Sequence, residues 1–252
     1  MLKVCPECGR AVSEFAEMCP NCGLPVSLFD KANRLNKESS NQVTFIDLGL
    51  PSGTKWASCN VGAKSAYDVG QYFAWGDSKV KTNYSWENYK FFLLMGKDHD
   101  IARFSKYVGN SKMGIVDARC YLESCDDPAT QLIGSHCCTP SYEQAMELHQ
   151  YCQIRQSNTR GVSGYELVGP NGNELFFINS GYMVGDKLLS PEEPHSWFNW
   201  ANENHHNAGC FSFLMNIGRA TMATSWPNRC CGLPIRPVLR NIKLFRDYLT
   251  SA

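Results

Sequence analysis

The chain has 252 residues, enough for one substantial core and a small additional unit. Its 24 basic and 24 acidic side chains cancel, so no excess charge favours nucleic acid or an anionic membrane as a partner. No apolar run has the length that a membrane-spanning helix requires. The sequence therefore predicts a protein that binds neither nucleic acid nor membrane.

The 13 cysteines fall into two groups. Four of them lie within the first 22 residues at metal-binding spacing, and the odd number that remains cannot all pair as disulfides. The first residues contain neither the apolar segment nor the cleavage site of a secretory signal. We therefore expect the remaining thiols to be reduced and the protein to be cytoplasmic.

Two matched motifs, CPECG and CPNCG, begin the chain and supply Cys5, Cys8, Cys19 and Cys22. A unit this short cannot bury a core by itself, but four thiolates around one tetrahedral zinc ion can supply its folding free energy. The glycine after each pair lets the backbone turn around the metal. We predict a zinc ribbon over residues 1–26 that holds one structural Zn²⁺.

Two segments are predicted to flank the main domain, which we place at residues 43–240. Residues 27–42 form a linker, with helical spacing at its start and a polar run from 36 to 42. Residues 241–252 form a C-terminal tail in which Ile242, Phe245 and Leu249 would share one side of a short helix.

The sequence of the main domain predicts many short strands and few helices. Ser141, with Gln144 three residues later, predicts a capped helix that continues to Cys152. Asn171-Gly172 predicts a hairpin turn between two apolar runs. The remaining expectations are strands at 43–48, 56–61, 71–75 and 233–238, hairpins at 165–168 with 174–178 and at 210–214 with 220–224, and mostly loop over 76–125. This mixture predicts an α+β fold.

Several motifs in order resemble the Fibrobacter succinogenes major paralogous domain family. They are FIDLGLPSGTKWASCNVGA at 45–63, GQYFAWG at 70–76, YSWENYK at 84–90, KY at 106–107, DDPAT at 126–130, TPSYE at 139–143, NGN at 171–173, GY at 181–182 and IRPV at 235–238. The resemblance implies a C-type-lectin-like fold, related to formylglycine-generating enzymes, that serves mostly as a binding module. Two segments, 135–140 and 196–200, depart from the family's usual pattern, and a ribbon stands where many relatives carry an export signal.

Within these motifs, the tryptophans are interpreted as structural. Trp56, Trp75, Trp86 and Trp197 are large aromatics that stabilise an irregular domain. Arg236 is predicted to be a buried or half-buried arginine paired with a carboxylate, for which Asp126 or Asp127 is a reasonable partner.

Residues 196–234 have the composition of a displayed binding surface. No Lys or Asp occurs between Leu188 and Ile242, while Asn, His and aromatic residues are abundant. Most of these residue types also arise when the first two bases of an Asn codon are randomised, as a diversity-generating retroelement does to its target. The predicted ligand-binding residues are Phe198, Asn199, Trp200, Asn202, Asn204, His205, His206, Asn216, Ile217, Arg219, Trp226, Asn228 and Arg229.

Other functions are weighed against this one. Kinship with formylglycine-generating enzymes suggests a copper oxidase, but no cysteine pair matches that site, and no GxSxG, HExxH or P-loop motif occurs. A zinc-ribbon scaffold or adaptor is a further alternative. A second metal site could use His136, His205-His206, Cys137-Cys138 or Cys230-Cys231, although adjacent cysteines in a strand point apart. We predict a non-enzymatic protein with a protein ligand.

Overall fold

The computed structural model describes residues 2–5, 10–21, 23, 25–30, 43–95, 102–117, 119–201, 210–215, 222–225 and 228–240, with the backbone alone at 197–201, 210–215 and 222–225. The predicted C-terminal tail and most of the predicted linker lie outside these residues. No helix in the described part of the chain is long and apolar enough to cross a membrane.

The described residues form an α+β fold rich in short strands, as predicted. The helices are α1 (Pro128–Leu132) and α2 (Tyr142–Tyr151). The strands are β1 (Leu2–Val4), β2 (Ala11–Ser13), β3 (Phe45–Asp47), β4 (Lys55–Ala57), β5 (Phe92–Met95), β6 (Ala102–Phe104), β7 (Cys137–Cys138), β8 (Gln153–Thr159), β9 (Val162–Val168), β10 (Glu174–Ile178), β11 (Tyr182–Val184), β12 (Lys187–Leu189), β13 (His195–Ala201), β14 (Cys210–Met215), β15 (Met222–Ser225) and β16 (Val238–Leu239).

The first 30 residues contain a small core of their own. Strands β1 and β2 pair antiparallel, and Val12 on β2 points inward. Cys5, Cys19, Val26 and Phe29 complete this buried cluster. Because Phe29 is only 1% exposed, the packed N-terminal unit extends beyond residue 26, where the sequence places its end.

A four-stranded sheet of order β3-β4-β16-β7 joins the start and the end of the main domain. Trp56 on β4 pairs with Val238 on β16, and both are fully buried. The predicted strand over 233–238 is mostly extended chain, with Leu233 bridged to Phe73 and only Val238–Leu239 in the sheet. Pro234 and Pro237 explain this shortening, since proline has no N–H to donate to a ladder.

Helix α2 begins where the sequence predicts. The Ser141 hydroxyl accepts from the Gln144 N–H at 3.2 Å, and the Gln144 side chain accepts from the Ser141 N–H at 2.9 Å. The capping box is therefore confirmed. The helix buries Ala145 and Leu148 against a core that includes Trp56.

Replacing Ser141 with alanine should lower the free energy of unfolding by about 1 kcal/mol, because an N–H of the first turn loses its acceptor. Urea denaturation measures this loss. Ser141→Thr retains a hydroxyl and is the matched control. Equal stability of the alanine and wild-type proteins would show that the capping box contributes nothing.

The predicted hairpin at 165–178 is confirmed as β9 and β10, which pair with Tyr165 opposite Phe177. The sequence missed β8, which pairs with β9 along seven residues. The sequence of β8, QIRQSNT, has few apolar residues because one side of the strand is polar. There, Arg155 and Ser157 bind Glu166 on β9.

Residues 76–125 contain more structure than the predicted loop. Strands β5 and β6 form a hairpin. Around it lies the larger aromatic core, in which Phe91 and Trp75 both make edge contacts with the Tyr107 ring. Trp75 is 1% exposed, so its structural interpretation is confirmed. Most of these contacts join distant parts of the chain. For this reason no hydrophobic periodicity in the sequence predicts them.

The burial of Arg236 is confirmed, but the predicted carboxylate partner is wrong. Its guanidinium donates to Asn60 Oδ1 at 2.7 Å and to the carbonyls of Ala57, Ser58 and Phe176. It also lies 4.5 Å from the centre of the Phe177 ring. Burial lowers the pKa of Arg236 to about 10, so the side chain remains charged at neutral pH.

The two predicted carboxylates have other roles. Asp127 caps α1 through the Ala129 N–H and accepts from Thr139. Asp126 binds Lys90 and Lys106 at the edge of the aromatic core. An arginine surrounded by carbonyl dipoles and an aromatic ring therefore replaces the expected ion pair.

Candidate functional site

Strands β13, β14 and β15 form an antiparallel three-stranded sheet. Ala201 pairs with Cys210 where β13 ends and β14 begins. Met215 pairs with Met222 where β14 ends and β15 begins. We call these two edges the Ala201 end and the Met215 end of the sheet.

The predicted ligand residues are attached to opposite ends. Positions 202–206 follow the Ala201 end, and positions 216–219 follow the Met215 end. Ser225 pairs with Ser212, so the chain after β15 continues toward the Ala201 end. The two ends are about 17 Å apart along β14, at about 3.4 Å per residue. The described strands that lead to the two groups of predicted ligand residues therefore end at opposite ends of the sheet.

The structure describes these residues to different extents. Phe198, Asn199 and Trp200 belong to β13, where the backbone alone is described. Asn228 is half-buried at the start of a turn. The predicted residues outside the described part of the chain are Asn202, Asn204, His205, His206, Asn216, Ile217, Arg219 and Trp226.

Arg229 is a core residue and does not belong to a displayed surface. Its side chain is 1% exposed. The guanidinium lies 4.9 Å from the Phe104 ring centre and 5.3 Å from that of Trp75. It also donates to the Tyr107 carbonyl at 2.9 Å. These contacts hold the chain immediately after Asn228 against the aromatic core.

The aromatic core that holds Arg229 borders a network of charged side chains, for which the sequence gives no signal. The Tyr107 hydroxyl donates to Asp126 at 2.6 Å, and Lys90 and Lys106 bind the same carboxylate. Burial by itself raises the pKa of Asp126, but the hydrogen bonds from Lys106, Lys90 and Tyr107 outweigh it and the pKa is lowered. The left-handed backbone of Tyr107, with φ of 60°, brings these groups together.

The acidic part of this network has the composition of a metal site. Ligand atoms of Glu123, Cys125 and Asp126 lie within 4.8 Å of one another. The Lys106 ammonium group, however, binds both carboxylates, and Lys90 and Arg119 each pair with one of them, so cations already offset their charge. Among the described residues this is the only such cluster, so Cys137-Cys138, Cys230-Cys231 and His136 do not gather around a common metal position.

No protein-family model matches this chain, and neither curated proteins nor solved structures give a match. Its function is therefore inferred from its own residues and geometry. Two regions remain as candidates for binding, namely the cysteines of the N-terminal unit and the Ala201 end of the β13–β15 sheet.

The described cysteines of the N-terminal unit fit a structural metal. Cys5 and Cys19 are buried at 0% and 1% exposure in its small core. The Gly23 N–H donates to the Cys19 carbonyl at 2.9 Å, and φ of Gly23 is +77°. This is a tight turn of the kind that allows a second cysteine to approach the same ion. The other two predicted ligands, Cys8 and Cys22, lie outside the described residues.

His195, the first residue of β13, is expected to make stability depend on pH. Its ring is 6% exposed, contacts Tyr182, and has no hydrogen-bond partner among the described residues. Burial lowers the pKa of His195 from 6.5 to about 4. Between these values the unfolded chain binds more protons than the folded chain, so stability is lost as pH falls.

Lowering the pH from about 7 to about 5 should cost the wild type about 1–2 kcal/mol more than His195→Phe. Glu193 Oε2 lies 3.5 Å from His195 Nε2 and would partly offset the loss by pairing with the protonated ring. Guanidinium denaturation of both proteins at the two pH values measures the difference. The assignment fails if both proteins lose the same stability.

Proposed function

We propose that this chain is a non-enzymatic binding protein that contacts a protein ligand through the Ala201 end of its β13–β15 sheet. The proposed surface consists of residues 198–206 and 226–228, without Arg229. The observation that carries the proposal is that β13 ends at the Ala201 end of a single sheet and β15 runs toward the same end, with Arg229 buried in the core shortly after β15. Residues 216–219, which follow β14 at the Met215 end, are left out of the proposed surface.

The composition of the surface favours a protein ligand. Its residues include Phe198, Trp200 and Trp226, together with four asparagines and two histidines. Rigid aromatic rings bury large area at low entropic cost, and asparagine side chains adapt their hydrogen bonds to a partner. A single acidic residue, Glu203, lies in the surface. Shape and polar contacts, rather than charge, would therefore determine specificity.

The scaffold that we propose for this surface is a C-type-lectin-like domain of the major paralogous family. The ordered motifs in residues 43–240 support this assignment, as does the α+β arrangement of short strands. Cys5, Cys8, Cys19 and Cys22 would hold one Zn²⁺ in the N-terminal ribbon, where the metal stabilises the fold of the unit. We place the protein in the cytoplasm because the nine cysteines outside the ribbon are an odd number and cannot all pair as disulfides.

Affinity capture from the native host tests the proposed surface. Wild-type protein is expected to retain a partner that Trp200→Ala and Trp226→Ala lose, because large aromatics at the centre of an interface contribute most to affinity. Tyr121→Ala is the matched control, since it removes an exposed aromatic outside the β13–β15 sheet. Partner loss in the control alone, or retention in both tryptophan variants, contradicts the proposal.

We further propose that a diversity-generating retroelement varies this surface. Closely related isolates should differ at codons within 198–206 and 226–228, and the differences should trace to adenines in a nearby near-repeat of the gene. The codons for 229–240 should remain fixed, because Arg229 and Arg236 are core residues. Substitutions spread evenly along the gene would contradict diversification by a retroelement and would favour a fixed ligand.

A further inference from the structure

Cys230 and Cys231 lie next to each other in a turn. The turn is closed by the Cys231 N–H, which donates to the Asn228 carbonyl at 2.9 Å. Both side chains belong to the same aromatic core, with exposures of 5% and 4%. A turn lets two successive side chains lie on one side of the backbone, whereas a strand directs them to opposite faces.

The chain contains an internal comparison in Cys137 and Cys138. These two form β7, and they pack into different cores, Cys137 into the aromatic core and Cys138 against the core around Trp56. The Cys137 thiol donates to the Gly134 carbonyl at 3.4 Å. Sequence adjacency alone therefore does not place two thiols in one core, whereas the turn at 230–231 places both in the aromatic core.

The Cys230 and Cys231 thiols shift each other's pKa. A hydrogen bond from the Cys230 thiol to the Cys231 sulfur raises the pKa of Cys230 and lowers that of Cys231. Since thiolates are the reactive form of cysteine, Cys231 is the sulfur that reacts first. Its thiolate then has a second thiol on the adjacent residue, buried in the same core.

We propose that Cys230 and Cys231 are an oxidation site that closes to a vicinal disulfide in the presence of a hydroperoxide. The Cys231 thiolate attacks the terminal peroxide oxygen, the O–O bond breaks, and Cys231 becomes a sulfenic acid. The Cys230 sulfur then attacks the Cys231 sulfur, the S–S bond forms, and the S–O bond breaks. With hydrogen peroxide the balance is two thiols and one peroxide giving one disulfide and two waters. A dithiol reductant reverses the reaction.

Closing this small ring must change the turn. The ring includes the Cys230–Cys231 peptide, whose N–H holds the Asn228 carbonyl. Gly232, the next residue, exchanges two hydrogen bonds with Met183, at 2.7 and 2.9 Å. Oxidation would therefore displace Asn228 relative to β11. That this alters ligand binding rests on the proposed function, but the oxidation itself does not.

Mass spectrometry of the full-length protein tests the site without any variant. The native, reduced protein is treated with hydrogen peroxide, denatured, alkylated and digested with trypsin. Cleavage after Arg229 and Arg240 gives a peptide over 230–240 that contains these two cysteines and no others. We expect this peptide to lose two hydrogen atoms and both alkyl groups, and to regain both alkyl groups when dithiothreitol precedes alkylation.

Two controls make a negative result of this experiment interpretable. Cys125 is exposed and reports that the oxidant has acted. Cys231→Ala retains Cys230, which should then stay alkylatable because it has lost its reactive neighbour. The proposal is overturned if the 230–240 peptide remains doubly alkylated after Cys125 has been oxidised, or if either sulfur is found bonded to a different peptide.

Discussion

Replacing Arg236 with leucine should lower the free energy of unfolding by about 4 kcal/mol, one of the largest losses available to a single substitution here. The change leaves Asn60 Oδ1 and the carbonyls of Ala57 and Phe176 without their donor inside the core. It also removes the cation from the face of Phe177. Urea denaturation followed by tryptophan fluorescence measures the loss.

The matched control is Arg155→Leu on β8. Arg155 also binds two partners, Glu166 and Glu174, but its side chain is 59% exposed. Exposed ion pairs contribute at most about 1 kcal/mol, so this variant should remain close to wild type. Arg236→Lys should fall between the two, because it retains the charge but cannot reach all the acceptors. Equal losses for Arg236→Leu and Arg155→Leu would contradict the structural role of Arg236.

Removing zinc should unfold the N-terminal unit and leave the main domain folded. A chelator is expected to release one zinc ion per chain and abolish the hydrogen-exchange protection of β1 and β2, whose small core cannot persist without the metal. All six tryptophans lie beyond residue 42, so tryptophan fluorescence reports on the main domain alone and should hardly change.

Cysteine variants make the zinc assignment specific. Cys5→Ser and Cys19→Ser should each lose zinc during purification, whereas Cys125→Ser, an exposed cysteine outside the unit, should retain it. Zinc is quantified by elemental analysis of the purified chains. Full zinc occupancy in Cys19→Ser, or no zinc in the wild type, would contradict the assignment of a zinc ribbon.

Local signals in the sequence predicted local structure well. The capping box of α2 and the Asn171-Gly172 hairpin depend on neighbours within a few residues, and both are confirmed. Strand β8 was missed because its polar side chains bind Glu166, a partner on another strand. The environment of Arg236 was missed for a similar reason. Its acceptors are mainly backbone carbonyls, which every residue carries and no sequence pattern marks.

The candidate site shows what composition can and cannot reveal. The uncharged, aromatic and Asn-rich character of residues 196–234 is visible in the sequence. Which of these residues share a surface depends on strand pairing, and the register of β14 shows that β13 and β14 end at opposite ends of the sheet. The burial of Arg229 depends on Trp75, Phe104 and Tyr107, all more than a hundred residues earlier in the chain.

Photo-crosslinking from single positions tests most directly that the Ala201 end is the ligand surface. A photoreactive phenylalanine derivative replaces Trp200 or Asn204 at the Ala201 end, or Ile217 at the Met215 end, and the protein is irradiated in host cells. The same crosslinked protein is expected from positions 200 and 204, and none from position 217. Crosslinks from 217 alone, or equal crosslinks from all three positions, would contradict the Ala201 end as the ligand surface.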